Sequence, residues 1–280
     1  MATIGFAMAS STAFSQEAPL NVSQSWATDT VLKTPESVLY DPKQDVLYVA
    51  NINKISKDTK DGDGFISKLK PNGMIDKLGW VTGLNDPKGM AIYGTTLFVS
   101  DLTQLVEIDI PSGKVKKIHD VEGAQFLNDV ASTESGDVYI SDSFANKIYK
   151  LSNGKFLVWM EGSELDKPNG LFTEKQEVLI ASMNKGVTKR VNHKTKEEKV
   201  VISEVPSTDG IASDGKGNYF FSNWNGEVYY VDSKGSKWKI VDTKDQKISA
   251  ADLTFVPKYN LLFVPTFFDN RVVAYYISFK

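Results

Sequence analysis

The 280-residue chain has no cysteine. Disulfides, thiol nucleophiles and Cys-based zinc sites are excluded together. Histidine is scarce as well, with His119 and His193 the only two. Chemistry on this chain must therefore come from carboxylates, amides, lysines or a metal. No apolar run reaches the roughly 18 residues that a membrane-spanning helix needs. An excess of basic charge is also missing: 32 Lys and Arg stand against 35 Asp and Glu, for a net charge of −3. That balance argues against a nucleic-acid binder, which would present a basic face. Helical periodicity is nearly absent, which removes the eight helical patterns of a TIM barrel.

What recurs instead is short runs rich in Val, Ile, Tyr and Phe, separated by Gly, Asn, Asp and Ser. They fall at 46–50, 97–100, 138–141, 178–181, 219–222 and 261–264. Upstream of each stands one residue in the same phase: Glu36, Lys88, Asn128, Asn169, Asp209 and Asp252. The spacings of this first ring are 52, 40, 41, 40 and 43. A second ring, Asn51, Asp101, Asp142, Ser182, Asn223 and Thr266, follows 13 to 15 residues behind the first. An all-β period of 40–45 residues is that of propeller blades with about four strands each. Six units predict an all-β, six-bladed β-propeller. The segment 24–31 precedes the first blade and is expected to pair with the C-terminal strand, closing the ring and leaving no free edge. Residues 23–280 thus read as one propeller domain. Residues 1–22 read as the remnant of an export signal or a disordered N-terminus. A truncated signal at 1–16 would make the chain periplasmic or secreted; otherwise it is cytoplasmic.

First-ring residues open the strands that line a propeller's channel, so they are expected at one channel mouth. Loops 51–64, 101–104, 142–146, 182–186, 223–226 and 266–270 should surround it. They bring Asn51, Phe144, Met183, Trp224, Phe267 and Phe268 to the mouth. Polar groups below apolar walls describe a small-molecule pocket. Glu36, Asn128, Asn169 and Asp209 form an all-oxygen set suited to Ca²⁺, Mg²⁺ or Mn²⁺. Asn72-Gly73, Asn153-Gly154 and Asn225-Gly226 fall within repeats and read as hairpin turns. Asn169-Gly170 and Asp209-Gly210 fall between blades instead. Asp61-Gly62-Asp63-Gly64 lacks the acidic residue that would complete an EF-hand loop and reads as the tip of a long loop, 51–64, able to act as a lid.

At Glu36, Asn128-Asp129, Asn169-Gly170 and Asp209-Gly210 the chain resembles the family of gluconolactonase, regucalcin (senescence marker protein) and luciferin-regenerating enzyme. The resemblance covers roughly residues 25–277. It implies a divalent cation, Ca²⁺ foremost with Zn²⁺ as a further candidate, held by Glu36, Asn169 and Asp209, with Asn128 beside metal and substrate. It implies hydrolysis of a lactone or related ester with Asp209 as base or nucleophile and Asn128 positioning the substrate. The similar paraoxonase and diisopropylfluorophosphatase propellers extend the alternatives to a phosphotriesterase-like hydrolase. A third alternative is a non-catalytic, NHL-like propeller that binds a ligand or partner at the same face. Two departures stand out. Glu36-Ser37-Val38 replaces the family's Glu-Gly-Pro, and Phe126 stands where an Arg commonly orients a sugar, which favours a more apolar lactone or ester. Lys88 either pairs with Asp209 or Asp252, partly replacing a metal, or snorkels out of the channel.

Overall fold

The computed structural model describes residues 17–55 and 60–280. Twenty-four strands form six four-stranded antiparallel sheets, each a blade. The innermost strands are Pro35–Asp41, Pro87–Tyr93, Leu127–Ser132, Pro168–Glu174, Thr208–Ser213 and the short Thr254–Val256. Three single 3₁₀ turns complete the described secondary structure, so none of it is a helix able to cross a membrane.

Burial falls from the channel outward and the sequence follows it. Second strands such as Val46–Asn51 and Val138–Asp142 are sandwiched between blades and almost wholly buried. They therefore read as continuous apolar runs rather than as alternation. Outer strands such as Lys114–Asp120 are mostly exposed and carry charge. The core is split into six clusters, one at each blade interface. Ala91, Phe98 and Leu105 meet Val130, Ile140 and Tyr149 between blades 2 and 3, for example. Each blade is held by both neighbours, so the ring depends on closure.

Closure is made by the N-terminal strand Leu20–Ala27, antiparallel to Val272–Phe279 from Leu20↔Phe279 to Ala27↔Val273. The strand starts earlier than the expected 24–31, and before residue 23. Leu20 and Val22 supply the reason: both pack into the core between blades 5 and 6. The backbone NH of Lys280 then donates to the Pro19 carbonyl at 2.9 Å. The export-signal reading of residues 1–16 lies outside the described residues, as do positions 56–59 of the loop read as a lid.

Candidate functional site

In blades 1 to 5 the pairing of the first two strands breaks register at one place. The breaks fall at Pro35/Ser37, Pro87/Met90, Leu127/Val130, Pro168/Leu171 and Thr208/Ile211. Glu36, Lys88, Asn128, Asn169 and Asp209 occupy these irregular positions. A bulge re-aims the side chain it carries, and here all five line one pocket of about 400 Å³. Phe126, Met183, Trp224, Phe267 and Phe268 form its walls. Trp224 packs edge-on against Phe267, with ring centroids 4.4 Å apart. Backbone bonds from Ser207 to the Met183 carbonyl (2.6 Å) and from Trp224 to the Ser207 carbonyl (2.8 Å) fix the wall loops of blades 4 and 5 together.

The floor is buried and acidic. Glu36 is 5 % exposed and Asp209 3 %. The Asn169 amide nitrogen donates to Asp209 Oδ1 at 2.8 Å. Asn128 donates to Ser143 Oγ at 3.2 Å, and Ser143 donates on to the Pro168 carbonyl at 2.7 Å. With both NH₂ groups engaged, each amide turns its oxygen free. Glu36 Oε2 is buried and has no hydrogen-bond partner. A buried carboxylate oxygen without a partner is costly, and an oxygen-loving divalent cation would satisfy it. Among the described residues no three His, Cys, Asp or Glu side chains form a metal-binding group. The set here is two carboxylates with two amide oxygens, a composition suited to a hard cation.

Burial raises the pKa of Glu36 well above the carboxylate range, and the charge of Asp209 adds to it while Lys88 opposes it. Burial, then the charge of Asp252, pushes Asp209 up to about 8. Burial pushes Asp252 to about 7 against the hydrogen bond from Ser37. Without a cation, Asp209 and Asp252 hold protons that the unfolded chain gives up above about pH 4. Their contribution to stability is present below that pH and is lost as pH rises through about 7 to 8, by about 1.4 kcal/mol per pH unit for each proton. Chelated protein is therefore expected to melt at a lower temperature at about pH 8 than at about pH 5. Added Ca²⁺ should raise the melting temperature more at the higher pH, because its ligands must be deprotonated. Melting curves in chelator across this range check it; a flat or rising profile contradicts it.

Three expected pocket residues lie elsewhere. Asn51 is fully buried below the loop, where its Oδ1 accepts from the Lys33 NH (3.0 Å) and its amide donates to Ser67 Oγ (3.2 Å). Much of the second ring does the same work. Asp101 accepts from the backbone NH groups of Asn85 and Asp86, and Asp142 from those of Gln125, Phe126, Phe144 and Ala145. These acceptors tie down the turn that leads into each first strand. Phe144 stacks on Phe126 at 4.5 Å but is 58 % exposed and outside the cavity lining. Asp252 opens a blade whose first strand starts only at Thr254. It bridges to Ser37 in parallel, accepts from Ser37 Oγ at 2.7 Å and lines the opposite channel mouth.

Lys88 follows neither expected course. It makes no ion pair among the described residues. It does not snorkel either, being 5 % exposed. Sequence reasoning missed Ile52, Ile55 and Asp86, which also line the pocket. They lie in loops with no periodicity; only their place beside the ring residues could have signalled them. Ile52 and Ile55 belong to the loop read as a lid.

No family model matches the chain, and no curated protein matches it. Among solved structures, a gluconolactonase from Xanthomonas campestris is similar, at 16 % identity and a TM-score of 0.69 over 88 % of this chain and 87 % of the other. The fold is that of a gluconolactonase-like propeller. A streptogramin B lyase is similar at 9 % identity and a TM-score of 0.66, over 92 % of this chain and 98 % of the other. A chain of the nidogen/laminin complex is similar at 12 % identity and 0.66, over 76 % and 86 %. Such identities speak to architecture, and the same ring serves enzymes and a protein complex alike.

Proposed function

We propose that this chain is a metal-dependent hydrolase of lactones or related esters. The observation that carries this reading is Glu36 Oε2, buried and unpartnered on the floor that also holds Asp209 and two amide oxygens free to coordinate. Held by Glu36, Asn128, Asn169 and Asp209, a divalent cation (Ca²⁺ first, then Mg²⁺, Mn²⁺ or Zn²⁺) supplies a Lewis acid for the scissile carbonyl. Asn169 fixes Asp209 through Oδ1. Oδ2 of Asp209 is then the atom that accepts the proton of an attacking water. The aromatic walls bury the alkyl or aryl body of the substrate and keep other water off the floor. With Phe126 on that wall, an apolar lactone or ester suits the pocket better than a polyhydroxylated sugar acid.

The test is elemental analysis with turnover on panels of alkyl and aryl lactones, esters and a phosphotriester, before and after chelation. Expected are one divalent cation per chain and lactone or ester turnover that is lost in chelator and restored by metal. Turnover confined to the phosphotriester would move the reading to that chemistry. Turnover on none of the panels would reject the enzyme in favour of a propeller that only binds.

A further inference from the structure

The pocket floor holds a cation that the hydrolytic scheme does not use. Lys88 is buried, and its ammonium donates to the Asp86 carbonyl at 3.1 Å. It also stands 4.7 Å from the centroid of the Phe126 ring. Those two contacts replace part of its water, since one carbonyl occupies one of three protons and a ring face attracts a cation. They supply no counter-charge. Lys150, by contrast, is paired with Asp137 at 2.6 Å. Glu36, Asp86 and Asp101 feel the charge of Lys88, yet none of them lies within ion-pair distance of it. A buried ammonium with no anion in direct contact is an expensive arrangement, and the space beside it is the ligand cavity.

The charge count narrows what would fill that space. Glu36 and Asp209 together balance one divalent cation, which leaves Lys88 and Asp86, both in the lining, as one charge of each sign that do not pair with each other. Among the described residues lining the pocket Lys88 is the only basic one. Asp86, half-buried in the same lining, would disfavour a dianion. The walls are aromatic and aliphatic. We propose that Lys88 anchors a carboxylate of the substrate, so that this site selects lactones or esters with an apolar body and one carboxylate. The proposal rests on the hydrolase reading for the reaction but not for the binding.

Two measurements separate the two. In the first, calorimetry of metal-loaded protein compares 3-phenylpropionate with 3-phenylpropionamide, neither of which can be hydrolysed as an ester. The wild type is expected to prefer the carboxylate by about tenfold, the worth of one charge-assisted contact. Lys88→Met should erase the preference and Lys88→Arg should keep it, with melting curves showing that both variants are folded. In the second, kcat/KM is compared for an aryl ester carrying a free carboxylate and for the same ester with that group amidated. The ratio should be high in the wild type and in Lys88→Arg and fall toward one in Lys88→Met. A preference that survives in Lys88→Met places the anion on another group and overturns the proposal, as does a wild type without preference. Carboxylate binding that depends on Lys88, in a protein that hydrolyses neither ester, upholds the anchor and rejects the hydrolase reading.

Discussion

Asp209→Asn is expected to lower lactone or ester turnover by at least about 10³-fold, the upper range for a general base, because a metal ligand is weakened at the same position. The substitution is close to isosteric. An amide oxygen at this position can still accept from Asn169, whose nitrogen lies 2.8 Å from Asp209 Oδ1. What is lost is the negative charge and the ability to take a proton. The effect on stability runs the other way. Burial and the charge of Asp252 push Asp209 to about 8, so in cation-free protein at alkaline pH its ionised form is a burden on the fold. Asp209→Asn removes that burden, and the chelated variant should melt above the chelated wild type at about pH 8 while binding Ca²⁺ more weakly. Opposite signs for activity and stability are the mark of a residue kept for function. Turnover within about tenfold of wild type would remove Asp209 from the chemistry.

How much of this was legible in the sequence depends on what each residue answers to. Glu36, Asn128, Asn169 and Asp209 share a phase because each opens a channel-lining strand, and the bulge beside each aims it at one pocket. Register along the chain therefore carried over into register in space. The second ring kept register for a different reason: Asn51, Asp101 and Asp142 accept backbone NH groups of the turn before the first strand. Periodicity alone does not separate a side chain that binds a ligand from one that buckles a turn. Asp252 has the right count, but the strand that would have carried it starts only two residues after it, and Ser37 draws its carboxylate to the other side of the waist. Phe144 was placed by its loop, yet it stacks outside Phe126. Lys88 depended on a contact between blades, Phe126 below its ammonium, which no spacing encodes.

Gly170→Ala should cost about 3 kcal/mol, a fall in melting temperature on the order of 10 °C, and should disable the site along with the fold. Two kinds of Asn-Gly step occur in this chain. Gly73, Gly154 and Gly226 have φ of +89°, +73° and +101°, the left-handed region that a tight turn demands. Gly170 is not in that region, so conformational freedom does not explain it. Its reason is contact. A Cβ at Gly170 would fall inside the van der Waals limit of the Asp209 carbonyl oxygen and lie 3.1 Å from the carbonyl carbon. Gly89 and Gly210 hold the same place in their blades and admit Asp129 and Asp252, there with the carboxylate Oδ1 and the Cα as close neighbours. The two nearest atoms at Gly170, the Asp209 carbonyl oxygen and carbon, are backbone and cannot rotate away. Relief requires the first strands of blades 4 and 5 to separate, and those strands carry Asn169 and Asp209, which share the 2.8 Å hydrogen bond. Gly154→Ala, in a hairpin where a Cβ meets nothing within 4 Å, is the control. It should cost only about 1 kcal/mol of left-handed strain and leave cation binding intact. Chemical denaturation of both variants, with calcium titrations on the folded proteins, measures the difference; equal losses at the two glycines would refute the claim that blade contact sets Gly170.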